Sequence, residues 1–136
     1  MSALPPEAEE FLRTHTRTFL VTLRPDGAPT CHPMVGLYHE GALYLTTYRK
    51  SAKVRNLTAD PRVACVVVTQ DDDPEFRGVV LRGRAEILAA GAVMPWTPEA
   101  PRPAGTGAGV ARLVQSRVAE GKRVVVRVAP DEVRAI

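Results

Sequence analysis

The residues best suited to chemistry lie in one stretch, Thr46-Thr47-Tyr48-Arg49-Lys50-Ser51-Ala52-Lys53-Val54-Arg55-Asn56-Leu57. Four cationic side chains, Arg49, Lys50, Lys53 and Arg55, fall within seven residues, and no acid lies between Glu40 and Asp60 to neutralise them. The stretch reads as a strand end running into a helix N-terminus, with Ser51 as the N-cap. The first backbone N–H groups of such a helix lack intrahelical partners, and its dipole favours an anion. Thr46, Thr47 and Ser51 add hydroxyl donors. Basic residues in a first helical turn oppose the dipole, at roughly 0.3–1 kcal/mol each when exposed. That opposition points to a bound anion, a phosphate above all; the alternative is a solvated basic turn.

The remaining reactive side chains form no comparable group. His15, His32 and His39 are scattered, with no spacing that fits a metal. His15 and His39 read as exposed polar residues. His32 precedes Pro33 and Met34 on a strand, where a structural role and a ligand contact both stay open. Cys31 and Cys65 form no CxxC pair and sit in apolar runs, so both are expected to be small buried hydrophobes. Tyr44 and Tyr48 read as core or rim residues, Met34 as core packing, and Asp71 to Asp73 as a solvated turn. Trp96, flanked by Pro95 and Pro98, is the sole tryptophan. It is placed either to cap a pocket or dimer interface or to cover one end of the fold.

The elements that must position this cluster follow from periodicity. A short helix is expected over 7–17, with Phe11 and Leu12 as its apolar contacts. Phe19 to Leu23 reads as a strand, and Arg24-Pro25-Asp26-Gly27 as a tight turn, because Pro presets φ and Asp-Gly tolerates positive φ. Pro29 opens a second strand, Thr30 to Tyr38, and His39-Glu40-Gly41 turns the chain into a third, Ala42 to Tyr48. There Leu43, Leu45 and Thr47 share one face, and Tyr44, Thr46 and Tyr48 the other. The period then becomes helical, with Val54, Leu57 and Thr58 on one face, until Asp60-Pro61. Val63 to Thr69 is β-branched and apolar on both faces, hence a buried strand. Val79 to Leu88 alternates, with Gly83 marking a bulge or a close backbone approach. Residues 89–109 form a long loop rich in Ala, Pro and Gly. Val110 to Glu120 is a helix, with Val110, Leu113, Val114 and Val118 on one face and Gly121 as its stop. Arg123 to Val128 is the last strand and Pro130 onward a tail. Six short strands joined by tight turns, with two or three short helices, make a mainly β, α+β fold. The expected form is a six-stranded antiparallel split β-barrel occupying residues 1–136 as one domain.

Composition narrows the function classes. The 136 residues are 45% hydrophobic and 24% charged, ordinary for a globular chain. Net charge is +3, from 15 Arg and 3 Lys against 15 acids, and aromatics are 5%. Such weak basicity and few aromatics argue against a nucleic-acid binder. No apolar run is long enough for a transmembrane helix, and the acidic N-terminus is unlike a signal peptide. A cytoplasmic protein is expected.

With these residues in place, Thr46 to Leu57 resembles the flavin-binding signature of the pyridoxamine 5'-phosphate oxidase-like, split β-barrel superfamily. It is closest to that group's small flavin- and deazaflavin-dependent oxidoreductases. The likeness extends to the opening from Phe19 to Pro29, to S-x-K-V-R-N-L followed by D-P-R-V (Ser51 to Val63), and to L-R-G-R-A-E (Leu81 to Glu86). It implies that Lys53 holds the cofactor phosphate and that Thr46 and Thr47 line the ribityl and phosphate path. It implies neighbouring contacts or helix anchoring for Arg55 and Asn56, and passage of the ring system along His32, Pro33 and Met34. Arg49, Lys50 and Ser51 complete the phosphate corner. It also implies a homodimer with each cofactor between subunits. True pyridoxamine-phosphate oxidases have Arg just before the phosphate lysine, where this chain has Ala52, and a ring-contacting glutamine at the position of Gly78. They also carry an Arg-rich extension beyond the position of Ile136. The expectation is therefore an oxidoreductase other than pyridoxamine-phosphate oxidase itself. It would use FMN or the deazaflavin coenzyme (coenzyme F-420) to move hydride to or from a small electron-poor organic substrate. The alternatives are a non-catalytic FMN- or deazaflavin-binding protein for storage or sensing and, more remotely, a heme-binding barrel. No catalytic residue stands out.

Overall fold

The computed structural model describes residues 4–89, 92, 94–95 and 108–136. They form α1 (Pro6–Thr14), β1 (Arg17–Leu23), β2 (Pro29–Val35), β3 (Leu37–His39), β4 (Ala42–Tyr48), α2 (Ala52–Ala59), β5 (Arg62–Val68), β6 (Gly78–Ile87), α3 (Ala108–Ala119) and β7 (Arg123–Ala135). One antiparallel sheet runs β2-β1-β5-β6-β7-β4-β3 and curls into a half-barrel. Trp96 and most of the 89–109 loop lie outside the described residues. No helix among the described residues is long and apolar enough to cross a membrane.

The strands number seven, not six, because Gly36 splits the expected second strand. Up to Val35 the chain pairs with β1; from Leu37 it pairs with β4. The single residue between them is pressed so close that a Cβ would stand 2.6 Å from Thr18 Oγ1. Only glycine lets the chain change partners there, which joins the two edges of the sheet. Local alternation carries no sign of such a switch.

Other boundaries move for local reasons. The first helix starts on Pro6, which needs no N–H at that position, and ends at Thr14 instead of 17. His15 is responsible: its ring stacks on Phe11 at 3.9 Å, and its Nδ1 lies 2.9 Å from the Phe11 carbonyl oxygen. It is thus half-buried, not exposed as expected. The last strand runs well past Pro130, because β6 provides partners as far as Val79 opposite Ala135. The ladder slips between Arg82 and Gly83, where a Cβ on Gly83 would stand 2.0 Å from the Ala129 carbonyl oxygen. Bulge and close approach coincide there.

Alternation then divides the apolar residues between two cores. Leu20, Leu43, Leu45, Cys65, Val67, Leu81, Val126 and Val128 pack with Phe11 and Leu12 of α1 and Leu57 of α2, and Met34 packs against this cluster. On the other side of β7, Val125 packs with Leu37, Met94 and Val118 of α3. Two details depart from expectation. Leu113 is exposed although its helical phase suggested burial, and Cys31 is exposed on the edge strand β2. Cys65 is buried, and desolvation pushes its thiol up to about 12.

Candidate anion corner at the start of helix α2

Strand β4 delivers the cluster. Its alternation sends Thr47 inward, where it is buried, and Thr46 outward. Thr47 Oγ1 lies 3.3 Å from Ser51 Oγ, and Ser51 Oγ accepts the Val54 N–H at 3.3 Å as the N-cap of α2. The Ser51 N–H donates to the Tyr48 carbonyl, closing the turn through Arg49 and Lys50. The backbone N–H groups of Ala52 and Lys53, the first two of the helix, find no acceptor among the described residues. They stand where an anion would be received.

An eight-residue helix is too short to persist alone, so tertiary contacts hold it. Leu57 is buried in the main core, and Asn56, also buried, donates from Nδ2 to Thr22 Oγ1 at 3.0 Å. Thr22 Oγ1 in turn lies 2.9 Å from Thr30 Oγ1 of β2. Asn56 therefore anchors α2 to β1, while Thr58, expected on the packed face, is exposed. At the far end Asp60 accepts from the Arg62 side chain and backbone N–H, and these bonds hold its carboxyl down at about 2.

The corner is positively charged. Lys53 is half-exposed, Arg49, Lys50 and Arg55 are exposed, and none forms an ion pair among the described residues. Arg55 donates to the Lys50 carbonyl at 3.0 Å and thereby braces the turn. Thr47, Arg49, Lys50, Ser51, Lys53 and Arg55 thus stand at the end of β4 and the start of α2, whereas Thr46 points to the other face of the sheet and Asn56 into the core. His32, Pro33 and Met34 are not in this group: they sit on β2, which pairs only with β1. His32 and Met34 face inward and Pro33 outward. His32 Nδ1 is shielded from solvent and has no hydrogen-bond partner among the described residues. A buried, unpaired ring nitrogen is worth about 1–3 kcal/mol in lost stability, which a ligand donor or acceptor would recover.

Two further cations stand beside the corner, and spacing did not reveal them. Arg123 donates to Thr46 Oγ1 at 3.2 Å, and its guanidinium lies 4.6 Å over the Tyr48 ring. Arg117 donates to Tyr48 OH at 2.9 Å. They come from β7 and α3, about 70 residues along the chain from their partners. The pairing of Tyr48 with Arg123 in the β4–β7 ladder brings them in. A separate cavity of about 620 Å³ lies over β1 and β5, walled by Phe19, Val66, Val68 and Phe76 with Arg17 and Asp71 at its rim. None of the sequence-derived site residues lines it.

The sequence pattern of the pyridoxamine 5'-phosphate oxidase family matches residues 4–136. A search of curated proteins finds no match. Among solved structures, an F-420 reductase is 25% identical, with 96% of this chain and 98% of that one covered and a TM-score of 0.68. The conserved hypothetical protein Rv2991 from Mycobacterium tuberculosis is 26% identical, covering 99% and 85%, with a TM-score of 0.68. A FAD-binding protein (mll6688) from Mesorhizobium loti shares the fold at 22% identity, 99% and 94% coverage and a TM-score of 0.64.

Proposed function

The chain belongs to the pyridoxamine 5'-phosphate oxidase family, and from that membership we propose that it is a flavin- or deazaflavin-dependent oxidoreductase acting on a small electron-poor organic molecule. One observation carries the reading: Lys53 stands in the first turn of α2, where the Ala52 and Lys53 N–H groups have no acceptor and the cations no carboxylate partner among the described residues. That donor set fits a phosphate ester. FMN and the deazaflavin coenzyme both carry one. The unpaired His32 Nδ1 on β2 also fits a planar ring with polar edges passing along that strand.

When bound, the cofactor supplies the hydride chemistry. The chain's part is to hold and orient. Lys53, Ser51 and the α2 N-terminus take the phosphate. Lys50, Arg49 and Arg55 raise the local potential. The proton that accompanies hydride comes from water or a weak acid, since the corner offers no paired acid and base. Ala52 stands where pyridoxamine-phosphate oxidase has arginine. At Gly78 a side chain would meet Ile136 at 3.1 Å and the Val67 carbonyl at 3.2 Å, leaving little room for that enzyme's glutamine. The proposed activity is therefore not that of pyridoxamine-phosphate oxidase.

The second subunit of the proposed homodimer has a surface to meet. Pro33, Phe19, Val66 and Val80 lie in one row across β2, β1, β5 and β6 on the face away from the main core. Val35, 40% exposed, and Phe76, 75% exposed, flank the row. Contiguous apolar surface of this kind marks an interface. Sedimentation at micromolar concentration should give twice the 14.7 kDa chain mass; a monomer would remove the two-subunit site.

The test is titration of Lys53→Ala, freed of cofactor, with FMN and with coenzyme F-420, followed by fluorescence. Loss of a charged hydrogen bond predicts at least about tenfold weaker binding, roughly 1.5–3 kcal/mol. Unchanged affinity in a folded variant refutes the phosphate role of Lys53. Tight binding without turnover of any enone or quinone would favour a storage or sensing protein, the reading that the lack of an acid–base pair supports.

A further inference from the structure

Beside the Lys53 corner stands a second cationic group, built from α3 and β7. The Arg49 N–H donates to the Lys122 carbonyl at 2.9 Å, so the turn after β4 abuts the turn before β7. Tyr48 lies at the junction and stays 51% exposed. Arg123 covers its ring at 4.6 Å while donating to both Thr46 Oγ1 and the Thr46 carbonyl. Arg117 reaches the same phenol from α3, with Nη1 on the hydroxyl at 2.9 Å. Lys122 pairs with Glu120 at 3.4 Å, but neither arginine has an ion-pair partner among the described residues.

Each arginine has an ordinary use. Arg117 in the last turn of α3 suits the helix dipole, and Arg123 gains from stacking on Tyr48. Neither use explains why two guanidiniums converge on one tyrosine without a counter-ion among the described residues. Like charges drawn together repel, and an anion between them would remove the repulsion. Guanidinium is also the side chain that grips a carboxylate or phosphate through two parallel bonds. Arg123 is held rigid by Thr46 and Tyr48. Arg117 commits only Nη1 and keeps its other donors for a ligand.

We propose that Arg117, Tyr48 and Arg123 form a second anion subsite that selects a cofactor whose tail carries a negative group beyond the first phosphate. The proposal rests on the Lys53 corner holding that first phosphate. FMN has no such group. The second phosphate of FAD and the tail carboxylates of coenzyme F-420 share the required chemistry.

The test titrates the cofactor-free full chain and its Arg117→Gln variant with FMN, FAD and coenzyme F-420. Arg117→Gln should leave FMN affinity within about twofold and weaken at least one tail-bearing cofactor about tenfold or more. Tyr48→Phe, which keeps the ring beneath Arg123 but frees Arg117, should act in the same direction with a smaller effect. Loss for FAD identifies the group as phosphate; loss for coenzyme F-420 identifies it as carboxylate. Equal weakening of all three cofactors, or no change in any, overturns the subsite. Failure of the unmodified chain to bind any of them overturns the Lys53 corner, and this subsite with it.

Discussion

Two glycines in strand β6 should respond very differently to the same methyl group. At Gly83 an added Cβ meets only backbone: the Ala129 carbonyl oxygen at 2.0 Å, its carbon at 2.9 Å and Pro130 Cα at 2.9 Å. Restoring ordinary contact requires β6 and β7 to part by roughly 1.4 Å at the bulge, from a would-be contact of 2.0 Å. That breaks about two neighbouring ladder bonds, each worth about 1 kcal/mol net, and adds overpacking strain of about 2–3 kcal/mol. Alanine returns about 0.5–1 kcal/mol by narrowing the unfolded ensemble. The net expectation for Gly83→Ala is a loss of about 3–4 kcal/mol, a large share of a typical 5–15 kcal/mol. At Gly78 a methyl group meets Cδ1 and Cγ1 of Ile136 at 3.1 Å, the end of a residue that is 58% exposed and can swing aside, and the Val67 carbonyl oxygen at 3.2 Å, which needs to give by only a few tenths of an ångström. Gly78→Ala should cost no more than about 1 kcal/mol. Urea unfolding followed by circular dichroism measures both, and Gly83→Ala should melt about 10–15 °C lower. If Gly83→Ala lies within 1 kcal/mol of the unmodified chain, or costs no more than Gly78→Ala, the close-approach reasoning is wrong.

Two further outcomes can be measured. Asn56→Ala should destabilise the fold by about 1–3 kcal/mol, because it removes the bond from α2 to Thr22, while Lys53→Ala should cost less than about 0.5 kcal/mol; the reverse order in urea unfolding would show that Asn56 is no anchor. In a Cys31→Ser variant the remaining thiol, held neutral by burial up to about 12, should not react with a disulfide reagent at pH 8 until the protein unfolds. Fast native reaction would mean that Cys65 is reachable.

Much of the corner was legible because its signals are local. Ala42 to Tyr48 alternates without interruption and is a strand from end to end. Ser51 caps α2 because a serine before a helical period has its hydroxyl within reach of the third N–H on. Gly27 and Gly41 take φ of 85° where Pro-Asp-Gly and Glu-Gly call for turns. The missing acids around Lys53 are visible in the order of residues, so the positive corner was too.

What escaped depends on contacts distant in sequence. Cys31 reads as core because its neighbours are apolar, yet β2 has a partner on one side only and leaves it exposed. Pro130 reads as a stop, yet the bulge opposite Gly83 lets the strand pass it. Arg117 and Arg123 stand beside the corner only because β7 pairs with β4, a choice of neighbour that no local period encodes. His32 is adjacent to Pro33 in any reading, but its unpaired Nδ1 exists only once the curled sheet has excluded water around it.

The sequence by itself determined the kinds of element, the turns between them and the charge at the start of α2, since these follow from backbone preference and spacing within a few residues. The tertiary structure alone decided that Gly36 joins the two sheet edges, that Thr22 is the partner on which Asn56 anchors α2, and that two distant arginines share Tyr48. The physical reason is the same in each case: strand pairing and burial bring together groups separated by tens of residues, and only that placement sets which polar atoms are satisfied and which charges stand without partners.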